Sequence, residues 1–231
     1  MKNQKSFTPI KNWLARHHPS GFLLAAQLLL LVLYAVYSDL PSQWGLLNAI
    51  GGLILVLVVW VVDRSPSINW IAWVLAIPAF LLSVLSAIID NQTLLVWSSL
   101  LEAILYFYAA VSLIIYMLED TMVTTDELFA AGATFTLLAW GYAYSYFVCQ
   151  VLVPESFMVA GNLDKQLSFI ELLSLSFTNL SATGLGDIVP VSAPARVLAM
   201  LEQFSGVGYL TIVVSRLIGL SISTQKRKKG Y

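Results

Sequence analysis

The chain has 231 residues, of which 58% are hydrophobic and only 11% charged, with a formal net charge of −1. A mean hydropathy of +0.80 lies outside the range of soluble globular domains and places the chain among multi-pass membrane proteins. The near-neutral charge excludes the basic footprint that nucleic-acid binding needs, and a lone cysteine, Cys149, excludes an intrachain disulfide.

In chain order, residues 1–20 come first as a basic segment with cytoplasmic or interfacial character. Lys2, Lys5, Lys11 and Arg16 precede the apolar run 21–37. No small-x-small cleavage site follows that run, so it reads as an uncleaved first helix. The stretch "FTPIKNWLARHH" sets Ile10, Trp13 and Leu14 on one helical side, as a helix lying in the membrane interface would. His17 and His18 read as solvated residues, because no third histidine exists to complete a metal site.

A spanning helix needs about 20 apolar residues. Six segments reach that length, at roughly 21–38, 45–62, 68–89, 94–117, 127–153 and 194–220. Turn and charged residues separate them, in "SDLPSQ", "DRSPSIN", "DNQT" and "EDTMVTTDE". The expected organisation is a four-helix peripheral bundle over 21–118, an acidic linker over 119–126, a pore domain over 127–220 and a basic tail over 221–231. Basic residues near helix ends mark the cytoplasmic side. With both termini inside, ten fall there (Lys2, Lys5, Lys11, Arg16, Arg64, Arg216, Lys226, Arg227, Lys228 and Lys229), and only Lys165 and Arg196 fall outside. The tail "KRKKGY" enforces that topology and is suited to contact with anionic lipid.

The fourth segment, "TLLVWSSLLEAILYFYAAVSLIIYML", contains no lysine or arginine. A voltage sensor moves several basic residues through the field, each worth about 2.3 kcal/mol per 100 mV. Glu102 is the one charge within that segment, so steep voltage gating by these helices is not expected.

A seventh apolar piece, 167–182, is too short to cross and ends in "SATGLGDIVP", residues 181–190. It reads as a re-entrant helix followed by irregular chain. Non-helical backbone at membrane depth survives only where protein buries it or where it lines a watery cavity. Successive carbonyls pointing into a narrow tube can replace the water around a cation. Gly184 and Gly186 are expected to supply the positive φ angles that turn consecutive carbonyls to one side. The negative C-terminal end of the short helix favours a cation beneath it.

Residues 168–220 resemble the pore module of the potassium-channel superfamily, with a pore helix, a T-x-G-[YF]-G-D filter and an inner helix. "LSLSFTNLSATGLGDIVP" stands where that family commonly reads like "TTVGYGDIVP". The wider chain resembles bacterial six-span channels that carry one such module, though over the first four spans the likeness is chiefly one of layout. The resemblance implies an all-α membrane protein with six transmembrane helices and a re-entrant pore helix and filter between spans five and six. Four copies would assemble as a homotetramer in a bacterial inner membrane. Ala182, Thr183, Gly184, Leu185 and Gly186 take the filter positions, Asp187 closes the filter, and Pro190 matches the proline that follows. Permeant K⁺ or another monovalent cation is the implied metal, held by filter carbonyls; no other cofactor is implied.

Three departures from the family pattern bear on selectivity. Ala182 replaces the threonine whose hydroxyl usually completes the innermost ion site. Thr183 brings a hydroxyl one position late. Leu185 replaces the usual aromatic, and the matching pore-helix position is Leu175, so a polar clamp between them is lost. Weaker K⁺ over Na⁺ discrimination is expected, with a weakly selective Na⁺/K⁺ pore or a non-conducting membrane scaffold as alternatives.

Other polar residues extend the expectation. Glu202 lies two turns into the last span and reads as filter support through Thr178 or Asn179, or as a source of negative potential in the cavity. Gly206 and Gly208 stand where an inner-helix hinge would lie, with close helix packing as the equal alternative. Arg196 is expected either to pair with Asp187 or Glu155 or to snorkel to the interface. Glu171 opens the pore helix, where a carboxylate complements the positive helix end. No nucleophile elbow, phosphate loop or metal-ligand spacing is present, so no enzyme is expected.

Overall fold

Inside a bilayer a chain must satisfy its own peptide groups, and a helix does so within one segment. The long apolar runs therefore become helices. The computed structural model describes residues 19–37, 54–62, 69–89, 91–119, 124–159, 166–216 and 218–219. Within them, helix α1 covers Pro19–Tyr37 and α2 covers residues 54–62. Helix α3 covers Asn69–Ile89, α4 Gln92–Glu119 and α5 Thr125–Leu152. Strand β1, Phe157–Val159, follows α5. Helix α6 spans only Phe169–Leu180, and strand β2 is Ile188–Pro190. Helix α7, Ala193–Tyr209, then runs into a π-helical turn at Leu210–Val214.

Among the described residues three helices are both long and apolar enough to cross a membrane: Trp70–Ile89, Gln92–Glu119 and Ala193–Val214. The segment expected at 127–153 does form a helix, α5, of 28 residues. At about 1.5 Å per residue that exceeds the roughly 30 Å hydrocarbon thickness. It is less apolar because it is central. It packs against α1, α4, α6 and α7, and those neighbours cover Thr134, Thr136, Trp140, Tyr142 and Tyr146. A helix surrounded by protein can carry hydroxyls and indole that a lipid-facing one cannot.

The expectation of an all-α chain needs one correction. β1 and β2 pair antiparallel, with Phe157 opposite Pro190, Met158 opposite Val189 and Val159 opposite Ile188. The ladder joins the chain leaving α5 to the chain entering α7, and so closes the loop that contains α6. The last expected span is also not one uninterrupted α-helix, because the π turn at Leu210–Val214 breaks its hydrogen-bond register. The N-terminal interfacial segment with His17 and His18, residues 45–53 of the second expected span, residues 120–123 of the acidic linker and the basic tail lie outside the described residues.

The N-termini of α5 and α1 are tied together. Thr124 caps α5 by accepting from the Glu127 amide at 3.3 Å. One turn in, Asp126 accepts from the Ser20 amide at 3.2 Å and from the Ser20 hydroxyl at 3.0 Å. Deeper between the same two helices, Thr136 donates to Gln27 Oε1 at 2.6 Å.

Candidate functional site

Helix α6 has 12 residues, about 18 Å at 1.5 Å per residue and too short to cross hydrocarbon. Its start is fixed by a capping box, in which Glu171 accepts from the Ser168 amide at 2.8 Å. The chain entering it is held by Gln150 of α5. That side chain donates to the Leu167 carbonyl at 3.0 Å and accepts from the Leu167 amide at 2.8 Å. Phe169, the first helical residue, rests on Tyr144 and Trp140, with ring centroids 4.6 and 5.7 Å away. The exit is anchored as well, since the Ser156 carbonyl accepts from the Val191 amide at 2.8 Å.

At the other end of α6 the chain folds back on the helix terminus. The Asn179 carbonyl accepts from the Ala182 amide at 3.0 Å. The Thr178 carbonyl accepts from the Thr183 amide at 3.1 Å and from the Gly184 amide at 3.3 Å. These bonds satisfy carbonyls that a helix end leaves open. Thr178 thus supports the segment through its backbone, while its own hydroxyl donates to the Leu175 carbonyl at 2.8 Å.

Residues 182–187 are irregular and all exposed within the single chain. Gly184 adopts φ +61° in open space. The expectation for Gly186 is corrected: its φ is not in the left-handed region, and the second positive angle belongs to Ala182, at 56°. For an alanine that geometry is uncommon. It is held by the bonds on either side of it, from the Ala182 and Thr183 amides back to α6. Leu185 is 77% exposed, whereas Leu175 belongs to the apolar core, so the structure does not join the two as a clamp within one chain. Asp187 is exposed at the end of the segment.

Behind the segment lies a buried polar cluster. Glu202 of α7 is fully buried, as are Ser176 of α6 and Tyr146 of α5. The Tyr146 hydroxyl donates to Glu202 Oε2 at 2.5 Å, and the Ser176 hydroxyl meets the other Glu202 oxygen while lying 2.8 Å from the Ala139 carbonyl. Asn179 Nδ2 donates to the Tyr146 hydroxyl at 3.1 Å, and Gln203 Nε2 donates to Asn179 Oδ1 at 3.4 Å. Glu202 therefore braces α6 directly through Ser176, and through Tyr146 to Asn179. The expected bond from Thr178 to Glu202 does not form. Burying a carboxyl is costly unless donors meet both oxygens, and here donors from two other helices do so. Sequence reasoning named Glu202 but missed Tyr146, Ser176 and Gln150. An aromatic or hydroxyl residue in an apolar run gives no sign of which distant residue it will meet.

The two glycines of α7 separate. A Cβ at Gly206 would run into the carbonyl of Leu180, the last residue of α6, so close packing accounts for Gly206. Gly208 faces open space. The local irregularity sits further on, where Tyr209 donates to the Ala131 carbonyl at 2.5 Å just before the π turn. Arg196 donates Nε to the Pro190 carbonyl at 3.3 Å, a backbone contact in place of Asp187 or Glu155.

Among the described residues no group of three or more His, Cys, Asp or Glu could hold a metal ion through side chains. No curated protein and no solved structure matches the chain. A family described as ion channel matches residues 103–221. That range takes in α5, the strand pair, α6, the irregular segment and α7, and it covers more than half of the 231 residues. The chain belongs to this ion channel family.

Proposed function

We propose that the chain is one subunit of a passive, potassium-permeable cation channel whose ion path is lined by the peptide carbonyls of Ala182, Thr183, Gly184, Leu185 and Gly186. One chain supplies one strand of carbonyls, and a ring around a single ion takes four. The working unit is accordingly a homotetramer, with α5, α6 and α7 around the central axis and α1–α4 toward lipid. The observation that carries this reading is the run 182–187. It is irregular, exposed backbone between a helix too short to span and a helix long enough to do so. In hydrocarbon such backbone is tolerated only against protein or water, and neighbouring copies around a watery axis provide both.

Opening is not driven by voltage in this reading, because α4 carries no basic residue. The basic tail faces anionic lipid on the cytoplasmic side. A weakly selective Na⁺/K⁺ pore is the second reading, favoured by the exposure of Leu185 and by the absence of a threonine hydroxyl at Ala182.

Purified protein in liposomes tests these readings through flux driven by a K⁺ gradient and repeated with Na⁺. K⁺ flux well above Na⁺ flux is expected, and equal fluxes would favour the weakly selective pore. An intact assembly that passes neither ion would make the chain a scaffold with a channel-like fold. Gly184→Val tests the segment itself, since a β-branched residue is strained at φ +61°. The variant should assemble and lose nearly all flux.

A further inference from the structure

We infer that Tyr146 is a positioning residue for the ion path, and that its hydroxyl, set between Glu202 and Asn179, sets how well the pore distinguishes K⁺ from Na⁺. The inference rests on the channel reading above and extends it to a residue outside the glycine-bearing segment.

The chain of contacts has a definite direction. The Tyr146 hydroxyl has one proton and directs it to Glu202 Oε2 at 2.5 Å. Its oxygen is then left to accept from Asn179 Nδ2 at 3.1 Å. That contact fixes which way the Asn179 amide faces, and it leaves Oδ1 to receive Gln203 Nε2 at 3.4 Å. Asn179 is thereby held from α5 on one side and from α7 on the other.

The backbone of this same turn carries the irregular segment. The Asn179 carbonyl accepts from the Ala182 amide, and the neighbouring Thr178 carbonyl accepts from the Thr183 and Gly184 amides. A shift of Asn179 therefore moves the attachment points of the first three residues of the proposed ion path. Ala182 holds positive φ, a strained geometry for a non-glycine residue, so this peptide depends on its outside bonds more than ordinary extended chain does. Leu185 and Leu175 offer no polar contact that would substitute.

Tyr142 supplies an internal control. It lies one turn earlier on the same helix, and its hydroxyl is 2.7 Å from Ser205 Oγ of α7, a contact that does not involve α6. Tyr146→Phe and Tyr142→Phe make the same chemical change, yet only the first removes a hydrogen-bond partner of Asn179.

The experiment uses the full chain reconstituted in lipid, with two readouts. One is amide hydrogen exchange over residues 182–184, and the other is the ratio of K⁺ to Na⁺ flux in vesicles. A lost hydrogen bond of about 1 kcal/mol corresponds to about a fivefold change. Tyr146→Phe should speed exchange at those amides about fivefold and lower the flux ratio by a comparable factor, while Tyr142→Phe leaves both at wild-type values. If Tyr146→Phe does not assemble, Asn179→Asp is read in the same way, because it replaces the donor facing Tyr146 with an acceptor of the same shape. Wild-type exchange in the substituted protein overturns the inference whether or not the protein conducts. Faster exchange with an unchanged flux ratio also overturns it. Wild-type vesicles that pass no ion overturn the channel reading and with it the selectivity role, a result distinct from the exchange outcome.

Discussion

Helix α3 turns Trp73, Ile77, Phe80 and Leu81 outward, whereas α5 keeps Thr134, Thr136, Trp140 and Tyr146 inside. The first packs against α4; the second touches α1, α4, α6 and α7. In water the greasier helix would be the buried one. Here the order is reversed, because lipid welcomes apolar side chains and penalises polar ones. Hydropathy in this chain therefore reports how much lipid a helix meets. Polarity reports how much protein surrounds it, and the candidate site is built on the polar helix.

The tyrosines of α5 make the contrast specific. Tyr142 and Tyr146, four residues apart, share the face toward α7 and meet Ser205 and Glu202. Tyr144, between them, stacks on Tyr106 of α4 with ring centroids 5.7 Å apart and meets Phe169 of α6 at 4.6 Å. One helix thus turns two tyrosine hydroxyls toward α7 and packs a third ring between α4 and α6.

The sharpest way to break the comparison is to disturb the contact between α6 and α7. Gly206→Ala places a methyl group against the Leu180 backbone, and backbone cannot yield as a side-chain tip can. Overpacking costs about 1–3 kcal/mol in ordinary cores, and the upper end is expected here. The variant should show a lowered melting temperature in detergent and lose flux. A stable, conducting Gly206→Ala protein would mean that α6 and α7 are not in close contact.

This contact also shows where the sequence is readable and where it is not. Glycine at 206 was legible as either a hinge or a packing site, and the packing shows only in the position of the Leu180 carbonyl. Most long helices were legible because twenty-odd apolar residues form a strong signal. Helix α5 was found the same way, but its centrality was not, since nothing local says which helices surround it. Gly184 was assigned correctly to positive φ, whereas Gly186 was not. The angle that goes to Ala182 depends on where α6 ends and which carbonyls its last turn leaves free. The partners of Glu202 were the least legible, because Tyr146 lies 56 residues away along the chain.

An intermediate effect is expected where α5 meets α1. Thr136 donates to Gln27 Oε1 at 2.6 Å, and Gln27 Nε2 already has no hydrogen-bond partner among the described residues. Thr136→Val keeps the shape and removes the donor, leaving the Gln27 side chain buried without that bond. A loss of about 1–3 kcal/mol is expected, read as a lower melting temperature with the K⁺ to Na⁺ flux ratio unchanged. A shifted ratio would mean that the α1–α5 contact reaches the ion path, and the division between polar site and supporting bundle would need to be redrawn.

The smallest effect belongs to α3, and it tests the other half of the comparison. Leu81 is 60% exposed, so truncating it to alanine opens no enclosed cavity of the kind that makes core substitutions costly. Lipid chains can fill the space, and the exchange of one apolar contact for another is nearly neutral. A change within about 0.5 kcal/mol is expected, small beside that of Thr136→Val measured in the same lipid. If Leu81→Ala instead costs as much, its side chain is packed against protein in the assembled molecule. Lipid exposure would then no longer explain why α3 is so apolar, and that face would have to be reassigned to a contact between copies.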